Sequence, residues 1–326
     1  MTKICLSVCI ATYNRAGYIR ETLDSIIPQL TDEVELLVVD GASTDNTEEV
    51  MRGYQKQCDR LRYVRLAAKG GFDYDYNQAV DLARGEYCWL FADDDLLKPG
   101  AIKAVLSEVH HNYSLIVVNS EVKNKDFTKI ISKKHFDIER NELYDNASLD
   151  PLFRRAISYM TFIGCVVIKR EVWLQREKER YFGSYYIHVG VVFQAPLPGS
   201  TLLIAEPYIT IRLGNAQWSA KTFEIGMSKW PKLLSSFDCL SRETRRPYLE
   251  THSWRIFKKI IFHRARKEYT LKDYQRFIAV DNSPLWWKAI ACFVAITPSA
   301  VVKFCLFSYF GMFNRGAIAS WELWRG

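Results

Sequence analysis

The stretch Trp89-Leu90-Phe91-Ala92-Asp93-Asp94-Asp95-Leu96-Leu97 places three consecutive carboxylates between apolar residues. The run that leads into it, starting at Tyr87, is apolar throughout and typical of a buried strand. Like charges at the end of a buried strand are unfavourable unless a cation neutralises them. Mg²⁺ and Mn²⁺ bind through one or two carboxylates and complete their shell with substrate phosphates. The stretch therefore predicts either a divalent-metal site or a charged turn.

Apolar strands alternate with helical patterns up to Asn119. The predicted strands are Lys3–Ile10, Glu35–Val39, Leu61–Leu66, Tyr87–Phe91 and Leu115–Asn119. The predicted helices between them are Arg20–Ile27, a segment that ends near Cys58, Asp75–Ala83 and Gly100–His110. Near-continuous apolar strands joined by helices predict an α/β fold with a mostly parallel, doubly wound sheet.

Polar side chains follow three of the predicted strands. They are Thr12, Tyr13, Asn14 and Arg15 after the first strand, Asp40 and Asp45 after the second, and Asp93–Asp95 after the fourth. Ligands bind beyond the carboxyl ends of the strands in such sheets, so we expect one shared site. No Gly-rich phosphate-binding pattern follows the first strand, which disfavours dinucleotide-binding dehydrogenases and P-loop nucleoside triphosphatases.

Four ordered motifs resemble those of the GT-A (Rossmann-like) glycosyltransferases of family 2, and the resemblance covers residues 3 to 215. The motifs are Leu6–Arg15, Val38–Asp45, Ala83–Tyr87 and Asp93–Asp95, the last corresponding to a DXD motif. Two further stretches, Gly70–Asp75 and Gly85–Leu90, look like an abequosyltransferase-like subgroup whose members act on bacterial surface polysaccharides. The resemblance implies a glycosyltransferase with a nucleotide-sugar donor.

The resemblance also implies which residues bind the nucleotide. Asp40 is expected to hold the nucleobase through its ring N–H, and the Thr12–Arg15 loop is expected to line the same pocket. A carboxylate at a strand end can accept such a proton, and the Arg15 guanidinium can offset phosphate charge. Asp45 matches a family position but is equally suited to cap the following helix.

The diphosphate and the metal are expected to bind further along the chain. Asp95 is the expected ligand of Mn²⁺ or Mg²⁺, with Asp94 or Asp93 at the ribose hydroxyls. Such a metal would stabilise the leaving diphosphate as a Lewis acid, and loss of Asp95 is expected to abolish turnover. Arg212 lies where relatives place a segment over the diphosphate, and a bidentate phosphate contact or a surface position are equally compatible with the sequence.

Two further assignments stay open in the sequence. Asp73 and Asp75 precede a predicted helix and either cap it or contact the donor. Family members that invert the anomeric centre usually carry a carboxylate in the stretch that corresponds to Phe182–Val189, where this chain has none. His188 is the candidate catalytic base there, since a neutral imidazole can accept a proton near pH 7. The alternatives are a structural histidine in the core and a retaining mechanism that needs no such base.

From about Lys221 the pattern becomes helical, which predicts a catalytic domain over residues 1–220 and a basic, aromatic appendage over residues 221–326. Between Ser241 and Val280 there are eleven Lys or Arg and four acidic residues, a net charge of +7. The segments that follow are too short and too interrupted to span a membrane. A basic, amphipathic helical region predicts attachment to an anionic membrane surface, with Trp286, Trp287, Trp321 and Trp324 at the interface. Packing of these helices on the catalytic domain is the alternative.

The composition narrows the location and the partners. The eight cysteines form no CxxC pair, and most lie in apolar runs, as reduced core thiols do. The N-terminus lacks a signal-peptide pattern, which predicts a reducing compartment and, with the appendage, the cytoplasmic face of the bacterial inner membrane. The chain has no nucleic-acid-binding module, so nucleic acid is not an expected partner.

The expected activity is metal-dependent transfer of one hexose or deoxyhexose from a nucleotide sugar, in the synthesis of O-antigen or another surface polysaccharide. The expected acceptor is an oligosaccharide linked to a lipid such as undecaprenyl diphosphate, and the subgroup points to abequose from CDP-abequose. The QxxRW pattern of processive synthases is absent around Gln217-Trp218, which favours addition of a single sugar. Alternatives are another inverting hexosyl- or N-acetylhexosaminyltransferase, or a non-catalytic nucleotide-sugar-binding scaffold of a membrane assembly complex.

Overall fold

The computed structural model of the protein describes residues 3–145, 147–215, 221–249 and 253–313. It divides into two compact units. One unit comprises Met1–Arg212 with Phe237–Thr244, and the other comprises Leu213–Ser236 with Arg245–Gly326. Each unit has a hydrophobic core of its own.

The first unit is an α/β unit built on ten strands. The strands are β1 Leu6–Thr12, β2 Val34–Asp40, β3 Leu61–Arg65, β4 Tyr87–Phe91, β5 Leu96–Leu97, β6 Leu115–Lys123, β7 Ile130–Ser132, β8 Glu142–Tyr144, β9 Val166–Lys169 and β10 Thr201–Arg212. The helices are α1 Ile19–Ile26, α2 Thr47–Gln55, α3 Phe72–Leu82, α4 Ala101–Val109, α5 Asp150–Ala156, α6 Arg170–Leu174 and α7 Ile187–Phe193. The strands and helices predicted up to Asn119 are all present, with ends shifted by a few residues.

All the strands belong to one sheet with the order β3-β2-β1-β4-β9-β6-β10-β5, in which β7 also pairs with β6 and β8 with β10. The first four strands are parallel. Their central members are apolar and buried on both faces because helices cover both sides of such a sheet. This confirms the predicted α/β fold class.

The sheet beyond β4 is mixed, which differs from the prediction of a mostly parallel sheet. Strand β9 lies between β4 and β6 and is antiparallel to both. Strand β10 is parallel to β6 but antiparallel to the short β5. The sequence between β6 and β9 therefore leaves the sheet and returns in the opposite direction, a connection that strand periodicity does not reveal.

The parallel half of the sheet sets where polar side chains gather. In the register of β1 and β2, Thr12 lies opposite Asp40, and both are the last residues of their strands. Strand β4 lies on the other side of β1 and leads through Ala92 to Asp93. The carboxyl ends of these three neighbouring strands thus bring together the side chains that the sequence predicts at one edge.

The second unit is helical. Its helices are α8 Thr222–Glu224, α9 Trp230–Ser235, α10 Arg242–Leu249, which starts in the first unit, α11 Ser253–Ala265, α12 Leu271–Asp273, α13 Leu285–Ile296 and α14 Ser299–Phe313. Two π-helical segments, Ile225–Lys229 and Tyr274–Ile278, lie between them. Its core consists of Phe223, Ile260, Tyr269, Ile278, Trp287, Ala291, Val294 and Ala295.

Helix α13 has one buried and one exposed apolar side. Trp287 is 3% exposed and packs edge-on against Phe257, which corrects its predicted place at a membrane interface. Trp286 is 59% exposed. Trp321 and Trp324, predicted at the same interface, and Trp218 lie outside the described residues.

No helix among the described residues is by itself long and apolar enough to cross a membrane. Leu285–Ile296 and Ser299–Leu306 meet the length and hydropathy requirement together, and they are bent by 102° where they join.

Candidate active site

Asp93 and Asp94 lie directly after β4 and are neutralised by Arg15, from the loop after β1. Arg15 Nε lies 3.2 Å from Asp93 Oδ1, and Arg15 Nη2 lies 2.6 Å from Asp94 Oδ2. The Thr12 hydroxyl donates to Asp93 Oδ2 over 2.8 Å. Burial and repulsion from Asp94 nevertheless raise the pKa of Asp93 to about 7, against the opposing effects of Arg15 and Thr12. The positive charge of Arg15 thus does not offset the burial of Asp93 and its repulsion from Asp94.

Asp95 is held by backbone rather than by a cationic side chain. The Arg212 backbone N–H donates to Asp95 Oδ1 over 2.7 Å, and the Thr22 hydroxyl donates to the Asp95 carbonyl over 2.9 Å. Within the part of the chain that the structure describes, Asp95 forms no ion pair, and it is only 3% exposed. Burial, followed by repulsion from Asp94, raises its pKa well above the usual range for an aspartate.

These surroundings fit a divalent cation at Asp95 only together with a ligand that brings further oxygens. No group of three or more His, Cys, Asp or Glu side chains among the described residues is arranged to hold a metal alone. Mg²⁺ and Mn²⁺ commonly use one or two carboxylates plus substrate phosphates, and Asp95 supplies such a carboxylate beside Asp94. Repulsion from Asp94 contributes, after burial, to the raised pKa of both Asp93 and Asp95, and a cation here would offset that repulsion.

Arg212, the last residue of β10, is 6% exposed and engaged in the protein. Its guanidinium donates to the carbonyls of Asp94 and Lys125 and to Glu21 Oε2, over 2.9, 2.6 and 2.6 Å. The ring of Phe127 lies 4.0 Å from the guanidinium carbon. The predicted phosphate contact of Arg212 stays a prediction, and these bonds give the residue a positioning role under Asp94 and Asp95.

Asp40 is fully buried at the end of β2 and accepts three hydrogen bonds from the protein. Ser43 donates its N–H and its hydroxyl to Oδ1 over 2.8 and 2.6 Å, and the Tyr63 hydroxyl donates to Oδ2 over 2.6 Å. Burial and then this bond to Asp40 raise the pKa of Tyr63, which keeps the hydroxyl protonated as a donor. The nucleobase contact that the resemblance assigns to Asp40 would compete with these bonds.

The loop after β1 is tied to the loop after β2. Asn14, at φ 53°, accepts the N–H of Thr44 over 2.7 Å and donates its own N–H to the Ser43 hydroxyl over 2.9 Å. Asp45 accepts from Thr47 N–H and hydroxyl at the start of α2 and from Ala16 N–H. Asp45 thus contacts Thr47, the first residue of α2, but the N-cap of this helix is Asn46, and the family role of Asp45 stays a prediction.

Tyr13, on the same loop, faces Lys69, whose Nζ lies 3.4 Å from the centre of the tyrosine ring. The loop after β3 and the start of α3 therefore close over the loop after β1. Tyr76 of α3 donates its hydroxyl to the Phe91 carbonyl at the end of β4 over 2.9 Å. The first turn of α3 lies at the same edge of the sheet as the acidic cluster.

Asp73 joins α3 to the loop before α7. Its Oδ2 and Oδ1 accept the backbone N–H groups of Tyr185 and Ile187, over 2.8 and 3.0 Å. The N-cap of α3 is Gly71, at φ 96°, so Asp73 and Asp75 lie inside the first turn of the helix and not at its cap position. Asp73 positions the helix that carries His188; a donor contact for it stays a prediction.

His188 is fully buried in α7, and its Nε2 donates to the Met160 carbonyl over 2.7 Å. Burial lowers its pKa to about 4, so the imidazole is neutral at pH 7. The bond to Met160 fixes the tautomer, and Nδ1 is an acceptor with no partner among the described residues. No described hydrogen bond or ion pair joins His188 to the Asp93–Asp95 cluster. Its role as catalytic base stays a prediction.

Three residues of this site were missed by the sequence reasoning: Glu21, Thr22 and Tyr63. Tyr63 carried a signal, since it is a polar-tipped aromatic near the end of a strand beside β2, opposite Val38. Glu21 and Thr22 lie in the first turn of a helix that starts at the site, where the sequence reading considered only the apolar positions.

The model of the family described as glycosyl transferase family 2 matches residues 7–173, slightly more than half of the chain. The chain belongs to glycosyl transferase family 2. The match includes β1, β2 and β4 with their polar ends, which are the elements that build the site. The chain is therefore a glycosyltransferase, as its resemblance to the family predicts.

Curated members of glycosyl transferase family 2 match the chain with modest identity. Abequosyltransferase RfbV of Salmonella typhimurium is 27% identical over 229 residues, 66% of this chain and 69% of that protein. The GalNAc(5)-diNAcBac-PP-undecaprenol beta-1,3-glucosyltransferase of Campylobacter jejuni is 26% identical over 206 residues, 56% of this chain and 62% of that protein. The chain is thus related to bacterial transferases of the O-antigen type and spans about two thirds of their length.

Two solved glycosyltransferases share the fold. The structure of S. aureus TarS residues 1–349 in complex with UDP has a TM-score of 0.55 at 19% identity, covering 76% of this chain and 70% of that one. Mannosyltransferase PcManGT from Pyrobaculum calidifontis, in complex with GDP-Man and Mn²⁺, has a TM-score of 0.54 at 16% identity, covering 99% and 84%. These similarities confirm the predicted GT-A fold.

Proposed function

We propose that this family 2 enzyme transfers a single hexose or deoxyhexose from a nucleotide sugar to a lipid-linked oligosaccharide, in the synthesis of a bacterial surface polysaccharide. The observation that carries the proposal is the buried Asp93–Asp95 cluster at the sheet edge, in which the pKa values of Asp93 and Asp95 are raised although Arg15 pairs with Asp93 and Asp94. A diphosphate with its cation would complete that charge balance. The similarity to abequosyltransferase RfbV supports CDP-abequose as the first donor to test.

Different residues at the carboxyl edge of the sheet would bind the different parts of the donor. The Tyr13 and Asp40 side would take the nucleobase, and Asp93 or Asp94 would take the ribose hydroxyls, for which carboxylates are good acceptors. The Arg15 guanidinium, now paired with two carboxylates, would be shared with the diphosphate. Asp95, held by the Arg212 N–H, would present a carboxylate toward the diphosphate and its Mn²⁺ or Mg²⁺.

That divalent ion would act as a Lewis acid on the leaving diphosphate. The acceptor hydroxyl needs a proton acceptor on the opposite face of the sugar if the anomeric centre inverts. His188 is the proposed base, because it is neutral and its Nδ1 carries an unshared lone pair. Access of a substrate to this buried atom requires movement of the loop that Asp73 holds.

Attachment to an anionic membrane surface is proposed for the second unit. Along α13 the side chains of Trp286, Phe293 and Ile296 are 59, 67 and 59% exposed, and in α14 Phe304 is 72% exposed. Soluble surfaces rarely display apolar groups at this density, whereas monotopic helices use them to enter the headgroup region. A lipid-linked acceptor would place the reaction at that surface, on the cytoplasmic face.

The proposal is tested by incubating the protein with Mn²⁺ and CDP-, UDP-, GDP- and dTDP-sugars and measuring release of the nucleoside diphosphate. Slow hydrolysis of one donor is expected even without acceptor, and a lipid-linked oligosaccharide should accelerate it. A protein that releases no nucleotide from any donor, with or without acceptor, would be a scaffold. NMR of the anomeric centre in the product decides between inversion and retention.

A further inference from the structure

One carboxylate oxygen at the candidate active site has no hydrogen-bond partner among the described residues. Asp75, in the first turn of α3, is 4% exposed, and its Oδ1 forms no hydrogen bond. A buried acceptor without a partner costs free energy, so such atoms in native proteins call for an explanation. The mechanism proposed above makes no use of this group.

Asp75 lies beside the residues expected to bind the nucleobase. A Cβ atom on Gly41 would lie 2.6 Å from Asp75 Oδ2 and 3.7 Å from Oδ1, so the glycine after Asp40 is what lets the carboxylate approach β2. The Asp40 carboxylate and the Lys69 ammonium both act on Asp75 electrostatically, and Lys69 faces the Tyr13 ring. Asp75 therefore lies next to the loops after β2 and β3, and the loop after β3 contacts Tyr13 in the loop after β1.

Asp40 and Asp75 differ in their capacity to accept another hydrogen bond. The Asp40 carboxylate already accepts three bonds from Ser43 and Tyr63. A carboxylate accepts about four well-placed bonds in total, so Asp40 has little capacity left. Asp75 Oδ1 has its full capacity.

We propose that Asp75 Oδ1, rather than Asp40, accepts an N–H group of the donor nucleobase, and that Asp40 serves to hold the loop after β2. This inference rests on the proposed function and assigns its base recognition. Every pyrimidine or guanine donor offers at least one N–H on the edge away from the ribose. An acceptor with no partner in the free protein gains a bond on binding, which is the pattern expected of a recognition group.

The test uses the full chain and calorimetric titration with CDP, UDP, GDP and dTDP in the presence of Mn²⁺. The variant Asp75→Asn keeps the shape of the side chain. Because Oδ1 has no partner, the nearby Gly70 and Gly71 N–H groups must act on Oδ2. In the variant these two N–H groups favour the amide oxygen at the position of Oδ2. The amide NH2 group then takes the position of Oδ1, so a hydrogen-bond donor replaces an acceptor there. Inorganic pyrophosphate serves as the probe without a base.

Asp75→Asn is expected to weaken the preferred nucleotide at least tenfold while pyrophosphate binding changes less than twofold. The matched control is Asp81→Asn, on the exposed end of the same helix, which should change neither. The free variant should also melt about 2 °C or more above the wild type at pH 7, since it loses a buried negative charge that the Asp40 carboxylate repels. A purely structural role for Asp75 would lower the melting temperature instead.

Equal nucleotide affinity in wild type and Asp75→Asn would overturn the inference, as would a parallel loss of pyrophosphate. The wild type gives a second test if the variant does not fold. Burial raises the pKa of Asp75 to about 6, although the Gly70 N–H, the Lys69 ammonium and the Gly71 N–H each lower it. Repulsion from Asp40 adds to the rise, so the Asp75 carboxylate gains a proton between pH 7 and 5. Nucleotide affinity should then fall relative to pyrophosphate, and parallel pH profiles would contradict the proposal. Absence of binding by all four nucleotides would instead overturn the proposed function itself.

Discussion

Asp95 combines a fixed position with an unbalanced charge. Its Oδ1 is held by the Arg212 N–H, and it has no ion-pair partner in the described part of the chain, where Arg15 pairs with Asp93 and Asp94. A carboxylate in this state binds a cation without having to give up an ion pair. The same shortage of charge explains why its pKa lies above the usual range.

Asp95→Ala is expected to reduce donor turnover at least a hundredfold, because it removes the group that would hold the cation against the leaving diphosphate. The measurement is release of nucleoside diphosphate with saturating Mn²⁺. The change in thermal stability should be small, since the alanine removes a buried like charge from the cluster but leaves the Arg212 N–H without its acceptor. Near-normal turnover by this variant would remove the metal assignment.

His188→Asn is expected to lower the transfer rate by a factor of about 100 to 10,000 if the imidazole acts as the base. The matched control is His135→Asn, since His135 also has a buried Nδ1 without a described partner and a pKa lowered by burial. Transfer by the His135 variant should stay near the wild-type rate. An undiminished rate in the His188 variant would return His188 to a structural role.

The pKa values of these histidines also predict how stability depends on pH. The pKa of folded His188, about 4, lies below its unfolded value near 6.5, so the unfolded state binds the proton more readily. The stability from neutral His188 is complete above pH 6.5 and declines as pH falls toward 4.

At the scale of secondary structure, the contact between α3 and α7 is the connection most open to change. The Asp73 carboxylate accepts the backbone N–H groups of Tyr185, in the loop before α7, and of Ile187, the first residue of α7. Helix α7 carries His188. Tyr185 in that loop has a φ of 70°, which is unfavourable for a residue with a side chain. The loop keeps this conformation because hydrogen bonds hold it.

Asp73→Ala is expected to speed amide hydrogen exchange over residues 184–190 and to lower the melting temperature by several degrees. Each buried N–H left without a partner costs about 1–3 kcal/mol. The control is Asp281→Ala, which removes an exposed carboxylate that accepts from Ser283 N–H and should have little effect. Unchanged exchange in the loop would show that other contacts determine its conformation.

The sequence predicted elements whose signal is local. Continuous apolar runs identified β1 to β4, and the acidic cluster was visible because its three carboxylates are adjacent in the chain. The insertion of β9 was not predictable, since a strand of four residues, three of them apolar, carries no information about strand direction. The hydrogen bond from the Arg212 N–H to Asp95 joins residues far apart in the chain, so no local sequence pattern predicts it.

At the scale of the whole molecule, the second unit supplies an apolar surface that the catalytic chemistry does not need. Most of its exposed large apolar residues lie on α13 and α14, two helices joined at a sharp bend. The basic stretch Ser241–Val280 belongs mostly to the same unit, and positive charge near an apolar surface favours anionic lipids.

The double substitution Trp286→Glu with Phe293→Glu is expected to weaken binding to vesicles with one third anionic lipid at least a hundredfold. Burial of one large apolar side chain contributes about 1.5–3 kcal/mol, and both side chains are exposed in the free protein. Co-sedimentation measures the effect, and melting temperatures should match the wild type. The control is Val280→Glu, which changes an equally exposed apolar residue outside both helices. Equal sedimentation of all three proteins would contradict membrane attachment.

The strand order has a consequence for how the chain folds during synthesis. The ribosome synthesises β1 to β4 early, and β4 can pair with β1 at once. The second neighbour of β4 in the sheet is β9, which begins only at Val166. Until then the nascent sheet has an open edge of unpaired backbone groups at β4, the kind of edge on which other chains can assemble. The half-made sheet also lacks Arg212, so its carboxylates repel one another without their anchor. A chain that stops before Val166 should therefore aggregate or require a chaperone, and one that extends past Arg212 should not.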